Sequence, residues 1–179
     1  MPTDTTASDT EALLAASVLL FDAMVRHQIY LLRLGGSMRK DTELLLNGTE
    51  AEISRLIRDR MAGMRRATPR NLARTASLIK EIRQIRHEAW LHVRRQWRTT
   101  LSQLTDAEYE FLVAALAASL PVEYDAKVPT DDASRATPFH GRTLDEWAKH
   151  IEAEDMRRIA QQIRIGLVQG ASAAAVAAS

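Results

Sequence analysis

Apolar residues recur along this chain at steps of three and four, the spacing of one face of a helix. Leu14, Val18, Phe21, Val25 and Leu32 follow that rule, with Gln28 filling the gap. Leu13, Leu20, Met24 and Leu31 widen the stripe, and so wide an apolar face calls for at least two neighbours. Ser8 and Glu11 have the spacing of a capping box, in which hydroxyl and carboxylate each take up a free backbone N–H at a helix start. Gly35-Gly36 predicts the end of this first helix, because glycine accepts the left-handed stop conformation.

A short helix is expected over Asp41 to Leu46, broken at Asn47-Gly48. Thr49 and Glu52 then predict a second capping box and a helix through about Met64, with Ile53, Leu56, Ile57 and Met61 on its apolar side. Thr68-Pro69 is the next start, a capping hydroxyl followed by proline at the first helical position. Leu72, Ala76, Ile79, Ile82 or Arg83, Ile85, Ala89, Val93, Trp97, Leu101 and Leu104 trace its stripe. A continuous helix from Pro69 to Leu104 is about 54 Å long, more than the width of a small globule, which implies an extended or coiled-coil-like body. Thr105 to Glu108 repeats the capping-box spacing and predicts a kink or restart into a helix ending near Leu120.

Pro121, Pro129, Pro138 and Gly141 fall within residues 121–142, the expected linker. Thr143 and Glu146 form a fourth capping box, and the helix after it presents Leu144, Trp147, Ile151, Ile159, Ile163 and Leu167 before Gly170 closes it. Ser172 is placed to cap a further helix. Seven glycines and five prolines are too few for a turn-rich β-sandwich, and no period-two run is sustained. The expected fold is therefore all-α: an elongated long-helix bundle or coiled-coil-like body over residues 8–120, the linker, and a smaller helical segment over 143–179. With 46% hydrophobic but 5% aromatic residues, aliphatic side chains must build the core.

Charge changes the picture more than composition does. The net charge of +1 hides a basic stretch: residues 55–98 hold 13 Lys/Arg against 3 Asp/Glu. Such a segment binds a polyanion or its own acidic parts. Arg83, Arg86, Arg94, Arg95 and Arg98 are the candidates for contact with genomic DNA or an acidic partner, with Trp90 and Trp97 available to stack on bases. The competing explanation is that Trp90 and Trp97, seven apart, share a packing face while the arginines form a solvated edge or pair with acids. Glu152, Glu154 and Asp155 look like a solvated face.

Other chemistry finds little support. His87 and His92 resemble a zinc HExxH, but they are five apart, about 140° around a helix, and cannot share one metal. Gly166 and Gly170 make a GxxxG, expected to mark close packing in a soluble helix pair or simple termination. No Ser-His-Asp context and no phosphate-cradling glycine loop is present, so no catalytic residue, metal ligand or cofactor is assigned. Cysteine is absent, which excludes disulfides and thiolate sites. The acidic N-terminus is the reverse of a signal peptide, and the run Ala12 to Phe21 is too short to span a bilayer, so a soluble protein made in the cytoplasm is expected, with no membrane partner.

Residues 135–147, "RATPFHGRTLDEW", interrupt the helical pattern. Pro138 pushes Thr137 into an extended conformation, Gly141 permits a tight turn, and Phe139 is placed to fold back on Trp147. This elbow and its sequel resemble the phage head morphogenesis family, the minor head proteins of the phage Mu type. The resemblance rests on Pro138, Phe139, Gly141, Thr143, Leu144 and Trp147, then Ile163, Arg164, Gly166, Leu167, Gly170 and Ser172, and it covers about forty residues. It implies a low-copy procapsid component on the capsid interior near the portal vertex, needed for correct head assembly; the broad apolar stripes fit self-association or docking on a partner, with the portal or capsid protein expected. It also implies that residues 143–179 are the start of a head-morphogenesis domain, incomplete here through truncation, processing or a longer chain. Two alternatives remain: a nucleic-acid-binding virion protein using the basic helices, and an N-terminal adaptor for a C-terminal effector domain.

Overall fold

The computed structural model describes residues 5–64, 66–119 and 140–178. It is all-α, with five helices among the described residues: α1 (Thr5–Asn47), α2 (Glu50–Met61), α3 (Pro69–Ser119), α4 (Leu144–Gln169) and α5 (Ala173–Ala177). Pro121, Pro129, Pro138 and Phe139, and with them most of the expected linker and the Phe139–Trp147 contact, lie outside the described residues.

Helix α1 begins three residues before Ser8 and does not stop at Gly35-Gly36; it runs unbroken through both to Asn47. Neither glycine adopts a positive φ, and a Cβ on either would meet nothing within 4 Å. A glycine inside a helix costs about 1 kcal/mol relative to alanine, a penalty that favourable neighbours can outweigh. Here half-buried Ala16, Leu20, Ala23, His27, Leu31, Leu34 and Met38 continue at steps of three and four straight across the pair. The short helix expected at 41–46 is the last part of α1.

Ser8 lies inside α1 rather than at its start, and two more of the four expected capping boxes are not made. Thr49 sits in helical rather than extended conformation and makes no side-chain cap; its hydroxyl donates to the Leu46 carbonyl at 2.7 Å. Thr105 lies inside α3, where its hydroxyl donates to the Leu101 carbonyl at 2.9 Å, so the helix continues without a restart. By contrast, Thr68 Oγ accepts from the Asn71 N–H at 3.2 Å, as its place before Pro69 predicts. Thr143 and Glu146 form the full reciprocal box at the start of α4. Gly170 ends α4 in the left-handed conformation at φ 67°, and the Ala171 N–H reaches back to the Gly166 carbonyl at 2.9 Å.

Tertiary contacts group the chain into two compact units: Met1–Arg39 with Thr99–Ala136, and Lys40–Arg98 with Thr137–Ser179. The second unit contains the hydrophobic core. Ile53, Ile57 and Met61 of α2 meet Leu78, Ile79 and Ile82 of α3, together with Met156, Ala160, Ile163 and Leu167 of α4. Val176 of α5 closes the cluster over Gly166, whose missing side chain makes room for it: an added Cβ would lie 2.3 Å from a Val176 methyl. The buried face of α3 includes Ile79, Ile82, Ala89 and Val93 of the expected stripe but departs from it at the edges. Leu72 is exposed, while Thr75 and Arg86 are buried. Thr75 can go inside because its hydroxyl donates to the Asn71 carbonyl at 2.8 Å.

In the first unit, α1 meets the last part of α3. The His27 ring stacks on Phe111 with centroids 3.8 Å apart, and its Nε2 lies 2.8 Å from a Glu108 carboxylate oxygen. No side chain in this unit is fully buried among the described residues.

Candidate functional site

The arginines singled out in the basic stretch divide sharply by position on α3. Arg86 is buried: its Nε donates to Asp155 at 3.0 Å, and its Nη1 donates to the Leu46 carbonyl at 2.5 Å and to Thr49 Oγ at 2.7 Å. It therefore adds a bond to the Leu46 carbonyl near the end of α1, which already accepts from Thr49, while holding α4. Arg94 bonds Glu152, whose other oxygen lies 2.7 Å from His87 Nδ1. Arg98 grips Asp145 with Nη2 at 2.7 and 2.6 Å from its two oxygens. Arg83 and Arg95 are exposed.

These pairs form a ladder between antiparallel helices. Going up α3, residues 86, 94 and 98 meet residues 155, 152 and 145 going down α4. Glu152 and Asp155 are thus not a solvated face. Trp90 and Trp97 also belong to the packing: the first donates to Asp155 at 3.2 Å, the second to Thr42 Oγ at 3.0 Å, and their rings meet edge to face. Neither indole is free to stack on a base. The Arg98 bond holds the Asp145 carboxyl below the usual carboxylate range, and Asp145 in turn raises the Arg98 guanidinium. Glu146 is lowered by the Thr143 backbone N–H that it caps.

The residues of the C-terminal motif have structural work to do. Gly141 turns the chain at φ 75°, Thr143 caps α4, and Leu144 is half-buried. Trp147, also half-buried, carries the Arg142 guanidinium over its ring at 4.9 Å. Gly166 admits Val176 and Gly170 ends the helix, so the GxxxG is both a close-packing site and a stop.

Two surfaces remain open. The first lies along α1, where Leu14, Val18, Phe21 and Leu32 are 62 to 76% exposed and Val25 41%. This is the stripe that called for neighbours; the half-buried row centred on His27 takes the α3 contact instead. The second is a groove of about 780 Å³ along α3 and α4. Arg83, Arg94, Lys149, Arg157 and Arg164 line it against a single carboxylate, Glu152. Arg157 is bonded to Glu154 and Lys149 is drawn electrostatically to Asp145 and Glu146, whereas Arg83 and Arg164 have no partner among the described residues. The basic segment alone did not point to Lys149, Arg157 and Arg164. Their recurrence at 149, 157 and 164, steps of eight and seven on one helix face, was the available signal.

No family model, no curated protein and no solved structure matches this chain. Among the described residues, no helix is long and apolar enough to cross a membrane.

Proposed function

We propose that this protein is a helical docking component of phage head assembly, of the minor-head kind that its C-terminal motif resembles, and that α1 is its docking element. The observation that carries this is the open apolar stripe of α1 in a unit with no fully buried side chain among the described residues. Full burial of a Leu, Val or Phe side chain contributes roughly 1.5–3 kcal/mol. Five such side chains left largely in water forgo on the order of 5 kcal/mol, comparable with the whole stability of a small domain. A protein surface that covers the stripe recovers that energy.

The portal or the inner face of the capsid shell is the partner this reading assigns, inside the virion and near the portal vertex; the stripe also suits a second copy of the chain. The nucleic-acid alternative draws less support, because Arg86, Arg94 and Arg98 are engaged by Asp155, Glu152 and Asp145. Nothing in the site supports an enzymatic role.

The test is co-sedimentation of the purified chain with portal rings and with capsid shells of the same phage. Wild type is expected to travel with one of them at high salt, as an apolar contact should. The double variant Val18→Glu/Phe21→Glu is expected to stay behind while keeping its helical circular dichroism. A wild-type chain that remains a lone 20.0 kDa species beside both partners overturns the proposal.

A further inference from the structure

We infer that the groove along α3 and α4 is a docking site for an acidic, amphipathic helix supplied by a partner protein. This surface belongs to the second unit and shares no residue with the α1 stripe.

The groove has two chemistries in fixed places. Its floor is apolar: Met156 and Ala160 are buried there, and Ala153 and Ile165 stand at the surface. Its rim is cationic on both sides, with Arg83 on α3 and Lys149, Arg157 and Arg164 on α4. Lys149 and Arg164 are about 22 Å apart along the helix, four turns. The ion pairs inside the groove already use Glu152, so Arg83 and Arg164 face solvent with no carboxylate of their own, while Lys149 feels Asp145 and Glu146 one turn away without a hydrogen bond to either. One polar atom is stranded at its edge: Arg94 Nε is buried without a partner.

A phosphate backbone would use the rim alone. It offers nothing to Ile165 and the floor, and the one ring that lines the groove, His87, is held by Glu152 at 2.7 Å. A helix with an apolar stripe flanked by carboxylates uses both parts. Its apolar side chains take the floor, as a third helix takes the groove between two others, and its acids meet Arg83, Lys149 and Arg164. Charge then fixes which helices are accepted, because a basic or neutral helix leaves those cations unpaired or repelled.

The experiment uses the full chain and a fluorescent synthetic peptide of about 16 residues, four turns and a half. Leucines are spaced by three and four on one face, with glutamates on the flanks. A scrambled peptide of the same composition and a labelled short DNA duplex are the comparison probes. The amphipathic acidic peptide is expected to bind saturably, more tightly than either comparison probe, and more weakly as salt rises. Arg83→Glu/Lys149→Glu/Arg164→Glu should weaken it by about tenfold or more, and Ile165→Ser should weaken it without any change of charge. Should the reversals disturb folding, Arg83→Gln/Lys149→Gln/Arg164→Gln replaces them, with the same direction expected. Failure of the peptide to bind, equal binding of the scrambled peptide, tighter binding of the duplex, or indifference to the groove variants each overturns the inference. Co-sedimentation through α1 is expected to survive every one of these variants, so failure here is distinguishable from failure of the docking role proposed above.

Discussion

Arg86 and Asp155 lie 3.0 Å apart, and the same carboxylate oxygen accepts from Trp90 Nε1 at 3.2 Å. The Arg86 side chain is 10% exposed and that of Asp155 22%, so neither charge is easily rehydrated when its partner is lost. Arg86→Met is expected to destabilise the second unit by about 3 kcal/mol. Arg86→Met with Asp155→Leu should cost less than the sum of the two single changes, since no charge is left stranded. Urea unfolding of the four proteins measures this; additive costs would show that the pair is not coupled.

At Gly166, α4 packs closely against Val176 of α5. With a Val176 methyl 2.3 Å from an added Cβ, Gly166→Ala forces α5 to shift. A cost of about 1–3 kcal/mol is expected, as for other overpacked sites. Adding Val176→Ala should return part of it, whereas a neutral Gly166→Ala would mean that α5 yields freely.

The exposed pair Gly35-Gly36 gives the opposite sign. Neither has a positive φ or a neighbour that an added methyl would strike. Each change to alanine is expected to raise stability by roughly 0.5–1 kcal/mol. A loss on thermal unfolding would show that the two glycines serve as a break after all.

Asp145 and Glu146 tie the start of α4 to acid. Both carboxyls are held below the usual carboxylate range, Asp145 first by Arg98 and Glu146 first by the Thr143 N–H. A depressed folded-state value means that the contribution is present at neutral pH and is lost as the unfolded chain takes up protons more readily. Stability should therefore fall from about pH 4 downward. Asp145→Asn and Glu146→Gln should each flatten that fall in a pH series of thermal midpoints, and an unchanged slope in both would refute the assignment.

The His27–Phe111 stack is the best-defined contact of the first unit. Phe111→Ala is expected to lower hydrogen-exchange protection around residues 23–31 and 107–115. Protection at Ile53, Ile57 and Met61, which pack in the other unit, should stay as it was. Equal loss at all these positions would mean that the chain unfolds as one body.

Much of the helical framework was legible in the sequence, because its signals act within a few residues. Periodicity marked every long helix. Thr68-Pro69, the Thr143–Glu146 box and Gly170 fixed three boundaries through bonds that span no more than four residues. Thr49–Glu52 and Thr105–Glu108 have the same spacing and failed as caps. Their hydroxyls are taken by the Leu46 and Leu101 carbonyls, and Arg86 adds a second claim on Thr49. The motif at 138–170 was likewise visible as a pattern, although the pattern did not show that Gly166 exists for Val176.

The sequence by itself determined that this chain would be all-α, with aliphatic stripes and an uneven charge. Only the tertiary structure decided which stripe is covered and which cations are engaged. Leu14, Val18, Phe21 and Leu32 make the stronger apolar row on α1, yet the row through His27 has the neighbour. Arg86, Arg94 and Arg98 look no different in sequence from Arg83, yet three meet carboxylates on α4 and one does not. Hydrophobicity and charge are not directional along a chain. They set what each face will accept, and the partner is chosen by whichever distant segment the fold brings alongside.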